Sequence, residues 1–249
     1  RSESAQAALA STVSDPRLRC FLGDVRDEPR LQLALRNIDY VVHAAALKRV
    51  DACANDPEEA AKTNISGTLN VARACLEQGV GKAVFLSTDK AADPCTLYGT
   101  TKLCAEALWL GSNVYAAGTP TRFTATRYGN VLGSTGSVLP LWRAQYAAGQ
   151  PLTITDERAT RFWMTMPDAV ALVLRAFRQM RGGEVFVPKI GSAPILDLAR
   201  AVVERDGPYA PGHTVTGMRG GEKRHETLIS SEEARDAEDC GDYYLLHST

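Results

Sequence analysis

A chain of 249 residues, 45% of them hydrophobic and 23% charged, is long enough to bury a core and suits one large domain or one domain with an added lobe. With 28 Lys and Arg against 29 Asp and Glu the net charge is −1, which argues against a basic face for nucleic acid or an anionic membrane. No apolar run nears the roughly 18 residues of a membrane span, no signal-peptide pattern is visible, and the six cysteines at 20, 53, 75, 95, 104 and 240 lack metal-ligand spacing, so no metal and mostly buried free thiols in a reducing cytoplasm are expected.

Apolar strands alternate with amphipathic helices, which predicts a parallel sheet covered on both faces. A strand is predicted over 19–22, ending in Gly23-Asp24-Val25-Arg26-Asp27, then a short helix over 28–36 and a strand over 39–43 that runs into Ala44-Ala45-Ala46. Asp56-Pro57-Glu58-Glu59 is a helix start, with an acidic cap, a proline in the first turn and further acids suited to the helix dipole. That helix runs to about residue 77, where Gly79 stops it. Ala83-Val84-Phe85-Leu86 reads as a buried parallel strand, followed by a helix that carries Tyr98 to about residue 117 and a strand over 122–126. From Tyr128 onward the elements shorten and turn residues crowd 129–137. Helices are predicted near 138–148, after the box Thr165-Met166-Pro167-Asp168, and over 195–204, with strands near 152–154, 184–187 and 214. The expected division is a dinucleotide-binding domain over 1–127 and a mainly substrate-binding lobe over 128–249, with 122–126 and parts of 160–190 belonging to the main sheet.

Positions 87–102 read Ser-Thr-Asp-Lys-Ala-Ala-Asp-Pro-Cys-Thr-Leu-Tyr-Gly-Thr-Thr-Lys. Open α/β sheets bind ligands beyond the carboxyl ends of their strands, and Ser87, Thr88, Asp89 and Lys90 stand where the 83–86 strand ends. Tyr98 and Lys102 are four apart and share a helix face. An ammonium beside the phenol favours the phenolate and lowers the tyrosine pKa, so that it takes a proton from an alcohol more readily. On any helix a Y-x-x-x-K pair is also an ordinary surface pair, and Asp89-Lys90 is also an ordinary loop salt bridge. Their place one short loop after a strand end singles them out.

The full string S-T-D-K-A-A-x-P-x-x-L-Y-G-x-T-K-L-C resembles the extended short-chain dehydrogenase/reductase family. Within it, the string is similar to the inverting UDP-N-acetylglucosamine 4,6-dehydratases of the polysaccharide biosynthesis group. The resemblance runs from Gly23-Asp24-Val25-Arg26-Asp27 to Asp242-Tyr243-Tyr244. It implies a Rossmann-type doubly wound parallel sheet with a smaller C-terminal lobe. It also implies bound NADP, with NAD as the alternative, a UDP-N-acetylhexosamine substrate, a cytoplasmic location and a homo-oligomer, either dimer or hexamer. No Gly-rich phosphate loop precedes Arg1. The resemblance sets Arg1-Ser2 just after the second strand of such a fold, so a first unit of roughly 30 residues bearing that loop is expected outside this sequence.

The resemblance also implies roles. Asp24 would contact adenine with Val25 packed on the ring, although a strand-end aspartate is also an ordinary turn cap. Ala44, Ala45 and Ala46 would admit cofactor backbone or simply pack, and Ser87, Tyr98 and Lys102 would bind the cofactor. Arg1 would pair with a 2′-phosphate, favouring NADP. Lys48 would face the substrate pocket or solvent. Asn64, a poor helix former, would support the site from within a helix. Asn130, in Arg127-Tyr128-Gly129-Asn130-Val131, would bond the sugar or a phosphate. Arg161, flanked by aromatics, and Arg219 with Glu222 would grip the diphosphate and ribose, and Lys189 would edge the uracil pocket. In the implied reaction Tyr98, with Lys102 and Thr88, takes the proton of the sugar 4-hydroxyl while hydride leaves carbon 4. Lys90 takes the carbon 5 hydrogen, Asp89 protonates the departing 6-hydroxyl, and hydride returns to carbon 6. The alternatives are a UDP-sugar 4-epimerase or retaining dehydratase of the same family, and an inactive nucleotide-sugar-binding protein.

Overall fold

Lys82–Leu86 forms the strand its apolar run predicts, with Ala83 and Phe85 packed into one cluster, Val84 into another, and all three at most 1% exposed. The structure, a computed structural model, describes residues 2–134, 136–206 and 212–247. In chain order its elements are α1 (Glu3–Thr12), α2 (Glu28–Ala34), β1 (Tyr40–His43), α3 (Val50–Asn55), α4 (Pro57–Ala61), α5 (Gly67–Gln78) and β2 (Lys82–Leu86). There follow α6 (Leu97–Gly111), β3 (Arg122–Thr126), β4 (Asn130–Val131), α7 (Val138–Ala147), β5 (Leu152–Ile154), β6 (Thr160–Met164) and α8 (Met166–Gln179). The last are β7 (Glu184–Pro188), β8 (Ser192–Pro194), α9 (Ile195–Asp206), β9 (His213–Val215), β10 (Glu238–Asp239) and β11 (Tyr243–His247).

Among the described residues the main sheet has the order β1-β2-β3-β7-β11-β10. Its first four strands are parallel, with Tyr40 beside Lys82, Lys82 beside Arg122 and Ala125 beside Val185. β11 runs antiparallel to β7, pairing Leu245 with Phe186. On one face α5 and α6 bury Val71, Cys75, Ala105 and Trp109 against Phe85 and Phe123, and the Trp109 indole donates to the Thr124 carbonyl at 3.0 Å. On the other face α8, opened by the predicted Thr165–Asp168 capping box, lays Leu172, Ala176 and its C-cap Met180 over Val84 and Phe186. Cover on both faces is why the strands read as unbroken apolar runs. The result is a Rossmann-like α/β fold. A separate cluster of Trp142, Leu152, Ile154, Ile195, Ala199 and Val202 joins α7 and α9 to the small β5-β9 sheet.

Several expectations are corrected. Residues 19–22 form no strand, because side chains take backbone groups that a ladder would use: the Phe21 carbonyl accepts from Gln6 Nε2 at 2.8 Å and the Leu22 carbonyl from Arg30 Nε at 2.7 Å. The helix predicted to reach residue 77 contains a π turn over Lys62–Ser66. α6 stops at Gly111 rather than near 117, where the Asn113 side chain clasps both the N–H and the carbonyl of Phe123 at the start of β3. Within the 160–190 stretch β7 joins the main sheet, whereas β6, like β11 not predicted as a strand, pairs with β4 and β8. All six cysteines are free, but Cys20 and Cys95 are exposed rather than buried. Among the described residues no helix is long and apolar enough to cross a membrane.

Candidate active site

The site begins where β2 ends. Ser87 N–H donates to the Thr126 carbonyl at 2.7 Å and Asp89 N–H to the Tyr128 carbonyl at 3.0 Å, pinning this segment beside the end of β3. Thr88 caps a single 3₁₀ turn, Asp89–Ala91, by accepting from Lys90 N–H at 3.4 Å. α6 starts behind this turn, capped by the Thr96 hydroxyl. Gly99 permits the close approach, since a Cβ there would strike the Lys90 carbonyl oxygen and lie 3.0 Å from Pro94 Cβ. Tyr98 is thereby brought close to Thr88 and within the field of Asp89.

Asp89 is 1% exposed and accepts from Thr88 Oγ1 at 2.9 Å and from Lys90 Nζ at 3.0 Å, both on Oδ1. Its Oδ2 and the Ser87 hydroxyl are buried without a hydrogen-bond partner among the described residues. Such orphaned polar atoms are rare in folded chains and mark places where something else is met. Tyr98 is 8% exposed. Burial pushes its phenol above the ordinary 10; the Thr88 hydrogen bond pulls it down and the Asp89 charge adds to the rise. The expected depression by Lys102 is therefore not found. The Lys102 ammonium instead donates to the Leu86 carbonyl at 2.8 Å and lies 3.8 Å from the centre of the Phe85 ring. Burial lowers its pKa from 10.5 to about 7, against the pull of Glu106, so near neutral pH it carries only part of the charge expected to act on the tyrosine. His43, 3% exposed and 2.9 Å from the Thr68 hydroxyl, is pushed to about 3 by burial and by the Lys102 charge.

Two buried groups frame this core. Asn64, in the π turn, accepts from Leu47 N–H at 2.8 Å and donates at 3.0 Å to both the Leu47 carbonyl and the Thr101 hydroxyl. It thus fastens the loop after β1 to α6. Arg127, 1% exposed, pairs with Glu106 of α6 and with Glu233, the latter at 2.8 and 2.9 Å, and donates to the Leu228 carbonyl at 3.1 Å. Burial opposes its charge, but the Glu106 charge and the Glu233 hydrogen bond outweigh it and hold the guanidinium firmly ionised.

A cavity of about 190 Å³ opens beside the Asp89–Ala91 turn, and its lining brings together Lys90, Asn130, Arg161, Arg219 and Glu222. Arg161 is 6% exposed and donates to Glu222 at 2.8 Å, while Glu222 also accepts from Thr155 at 2.8 Å and from Arg219 N–H at 3.2 Å. Gly221, at φ +75°, closes this wall: a Cβ there would lie 2.6 Å from Thr96 Cγ2 and 2.7 Å from the Cys95 carbonyl oxygen. Other predicted residues lie elsewhere. Lys189 pairs with Asp239 at 2.5 Å and covers the Tyr244 ring at 4.4 Å, away from this cavity. Lys48 is exposed on the loop after β1, as are Ala44 and Ala45, with Ala46 half-buried. Asp24 binds the Arg26 guanidinium at 2.9 Å, and Val25 packs on Gly67 of α5. Arg1 lies outside the described residues. Sequence reasoning missed Glu226, Glu106 and Thr96, all within a few residues of motifs it did single out. The Gly220-Gly221-Glu222-Lys223-Arg224-His225-Glu226 run was the available signal for the first.

A parallel sheet with Ser87 at a strand end and Tyr98 and Lys102 on the following helix is the arrangement of the extended short-chain dehydrogenase/reductase class. The sequence profile described as polysaccharide biosynthesis protein matches residues 1–248, and the chain belongs to that family. It is similar to an inverting UDP-N-acetylglucosamine 4,6-dehydratase of Campylobacter jejuni, 46% identical over 249 residues and spanning 99% of this chain and 72% of the relative. A UDP-glucose 4-epimerase of Rickettsia canadensis is 42% identical over 246 residues, spanning 99% and 72%. Among solved structures, Pen from Bacillus thuringiensis is 38% identical with a TM-score of 0.95, covering all of this chain and 79% of that one.

Proposed function

We propose that this protein is a nucleotide-sugar 4,6-dehydratase acting on a UDP-N-acetylhexosamine, UDP-N-acetylglucosamine first, with inversion at carbon 5. The observation that carries the reading is the Asp89–Lys90 pair, 3.0 Å apart, on a turn packed against Tyr98. Oxidation at carbon 4 alone needs the tyrosine and lysine; loss of water needs an acid and a base besides.

The residues present fit a nicotinamide dinucleotide. An unpartnered Ser87 hydroxyl, the buried Tyr98 and Lys102, and the small Ala44 and Ala45 lie at the carboxyl ends of β2 and β1 or on α6 behind them, where open α/β sheets take such ligands. Asp24 and Val25 would hold its adenine end. NADP is our first choice and NAD the second. When bound, the nicotinamide would accept hydride from carbon 4 and return it to carbon 6.

Tyr98, with Thr88 at its hydroxyl and Lys102 one turn on, takes the proton of the 4-hydroxyl. The 4-ketone acidifies the neighbouring carbon 5 hydrogen, which Lys90 removes. Asp89 gives its proton to the 6-hydroxyl as that group leaves as water, and once carbon 6 has regained hydride a solvent-derived proton adds to carbon 5 from the opposite face, which inverts that centre. Arg161, Arg219, Glu222 and Asn130 hold the diphosphate and sugar across the cavity. Residues 1–127 serve the cofactor and much of 128–249 the sugar nucleotide, and the assembled enzyme is a homo-oligomer.

A second reading, UDP-sugar 4-epimerase, is favoured by the Rickettsia relatives. Proton NMR of the full-length protein with UDP-N-acetylglucosamine in deuterated water separates them. The dehydratase yields a 6-methyl signal with deuterium at carbon 5, and Lys90→Ala abolishes it. An epimerised UDP-sugar that survives Lys90→Ala would replace the first reading with the second.

A further inference from the structure

Glu226 is one of the most enclosed carboxylates at the cavity and has no part in the mechanism above. Its side chain is 5% exposed, Oε1 stands 3.5 Å from Lys90 Nζ, and Oε2 has no hydrogen-bond partner among the described residues. The segment before it is fastened at three points. Lys223 Nζ donates to the Ala92 carbonyl at 2.8 Å, the Arg224 carbonyl accepts from Thr160 N–H at 3.0 Å, and His225 Nδ1 lies 2.8 Å from the Thr160 hydroxyl. A carboxylate oxygen buried without a partner is costly, yet the local structure is built to keep Glu226 there.

We propose that Glu226 is a positioning residue for Lys90, its carboxylate holding the amine in place together with Asp89. The inference rests on the reading in which Lys90 takes the carbon 5 hydrogen. The charged groups facing Lys90 are Asp89 on its own turn, Glu226, and across the cavity Arg161, Arg219, Glu222 and Lys223. Arg161 and Glu222 pair with each other at 2.8 Å, and Lys223 is engaged by Ala92. The two near carboxylates, at 3.0 and 3.5 Å, therefore dominate the field at Lys90 Nζ. An opposite charge within about 4–6 Å favours the charged form. As the carbon 5 C–H bond breaks, its electron pair stays on carbon, conjugated with the 4-ketone. The proton forms a new N–H bond on the Lys90 amine, and the ammonium so made is matched by Glu226 and, once Asp89 has given its proton to the leaving 6-hydroxyl, by Asp89 as well.

Glu226→Gln keeps the shape and removes the charge. Two readouts on the full-length protein follow: the pH profile of kcat, and the pH dependence of Lys90 acetylation by trace acetic anhydride, read by mass spectrometry. Removing a carboxylate beside an ammonium makes the amine free at lower pH. Both the labelling midpoint and the Lys90 limb of the kcat profile should move down by about one pH unit, and Glu226→Asp, which keeps the charge, should recover part of the shift. A purely structural role would scale kcat at every pH and leave the labelling midpoint where it was, and that result overturns the inference. Labelling does not depend on which reaction is catalysed, so the two failures separate. An unmoved midpoint with an inactive Lys90→Ala sinks the role of Glu226 alone, whereas elimination by Lys90→Ala sinks the role of Lys90 and this inference with it.

Discussion

Gly99→Ala tests how tightly the geometry of the site depends on one close contact. A Cβ at residue 99 would lie 3.0 Å from Pro94 Cβ and well inside contact distance of the Lys90 carbonyl oxygen. That oxygen belongs to the turn carrying Asp89 and Lys90, so the turn must retreat from α6 by roughly 1 Å, and a misplacement of that size costs on the order of 10²-fold in rate. Overpacking of this kind costs about 1–3 kcal/mol in stability, which for a chain of this length lowers Tm by about 2–12 °C. A stability of about 5–15 kcal/mol leaves the variant folded at 25 °C, so the rate loss is not a loss of native protein. Turnover of UDP-N-acetylglucosamine at 25 °C, with Tm by calorimetry, measures both quantities. Turnover within about threefold of the parent would show that the Asp89–Lys90 turn need not sit where Gly99 allows it.

Lys102 links pH to stability. Its pKa is held near 7 against an ordinary 10.5, so between those values the unfolded chain binds a proton that the folded chain does not. Stability from this group therefore rises with pH across that window and is lowest below 7. Lys102→Met should abolish turnover yet gain about 2–3 kcal/mol more over the parent at pH 6 than at pH 9 in urea unfolding; an equal gain at both would contradict the burial argument. Arg127→Met should cost about 3–5 kcal/mol by leaving Glu106 buried without its cation. Adding Glu106→Gln should return much of that, and a cost under about 1 kcal/mol for the single variant would mean the network is dispensable.

The sequence alone determined the parts governed by local physics. The apolar run 83–86, the Thr165–Asp168 box and the four-residue spacing of Tyr98 and Lys102 depend on strand period, cap chemistry and helical pitch. Each is a short-range property, and each reappears in the structure. Tertiary packing set everything that depends on partners far apart or on the solvent they exclude. Residues 19–22 carry strand-forming side chains, yet Gln6 and Arg30 occupy their carbonyls. Arg127 and Glu233 are 106 residues apart, and no periodicity relates them. Lys90 and Glu226 meet only because the segment before Glu226 is tied to Ala92 and Thr160. Burial also reversed the expected electrostatics of the tyrosine–lysine pair. Spacing places the two groups on one face, but the environment raised one pKa and lowered the other, because desolvation depends on everything packed around a group rather than on its neighbours in the chain.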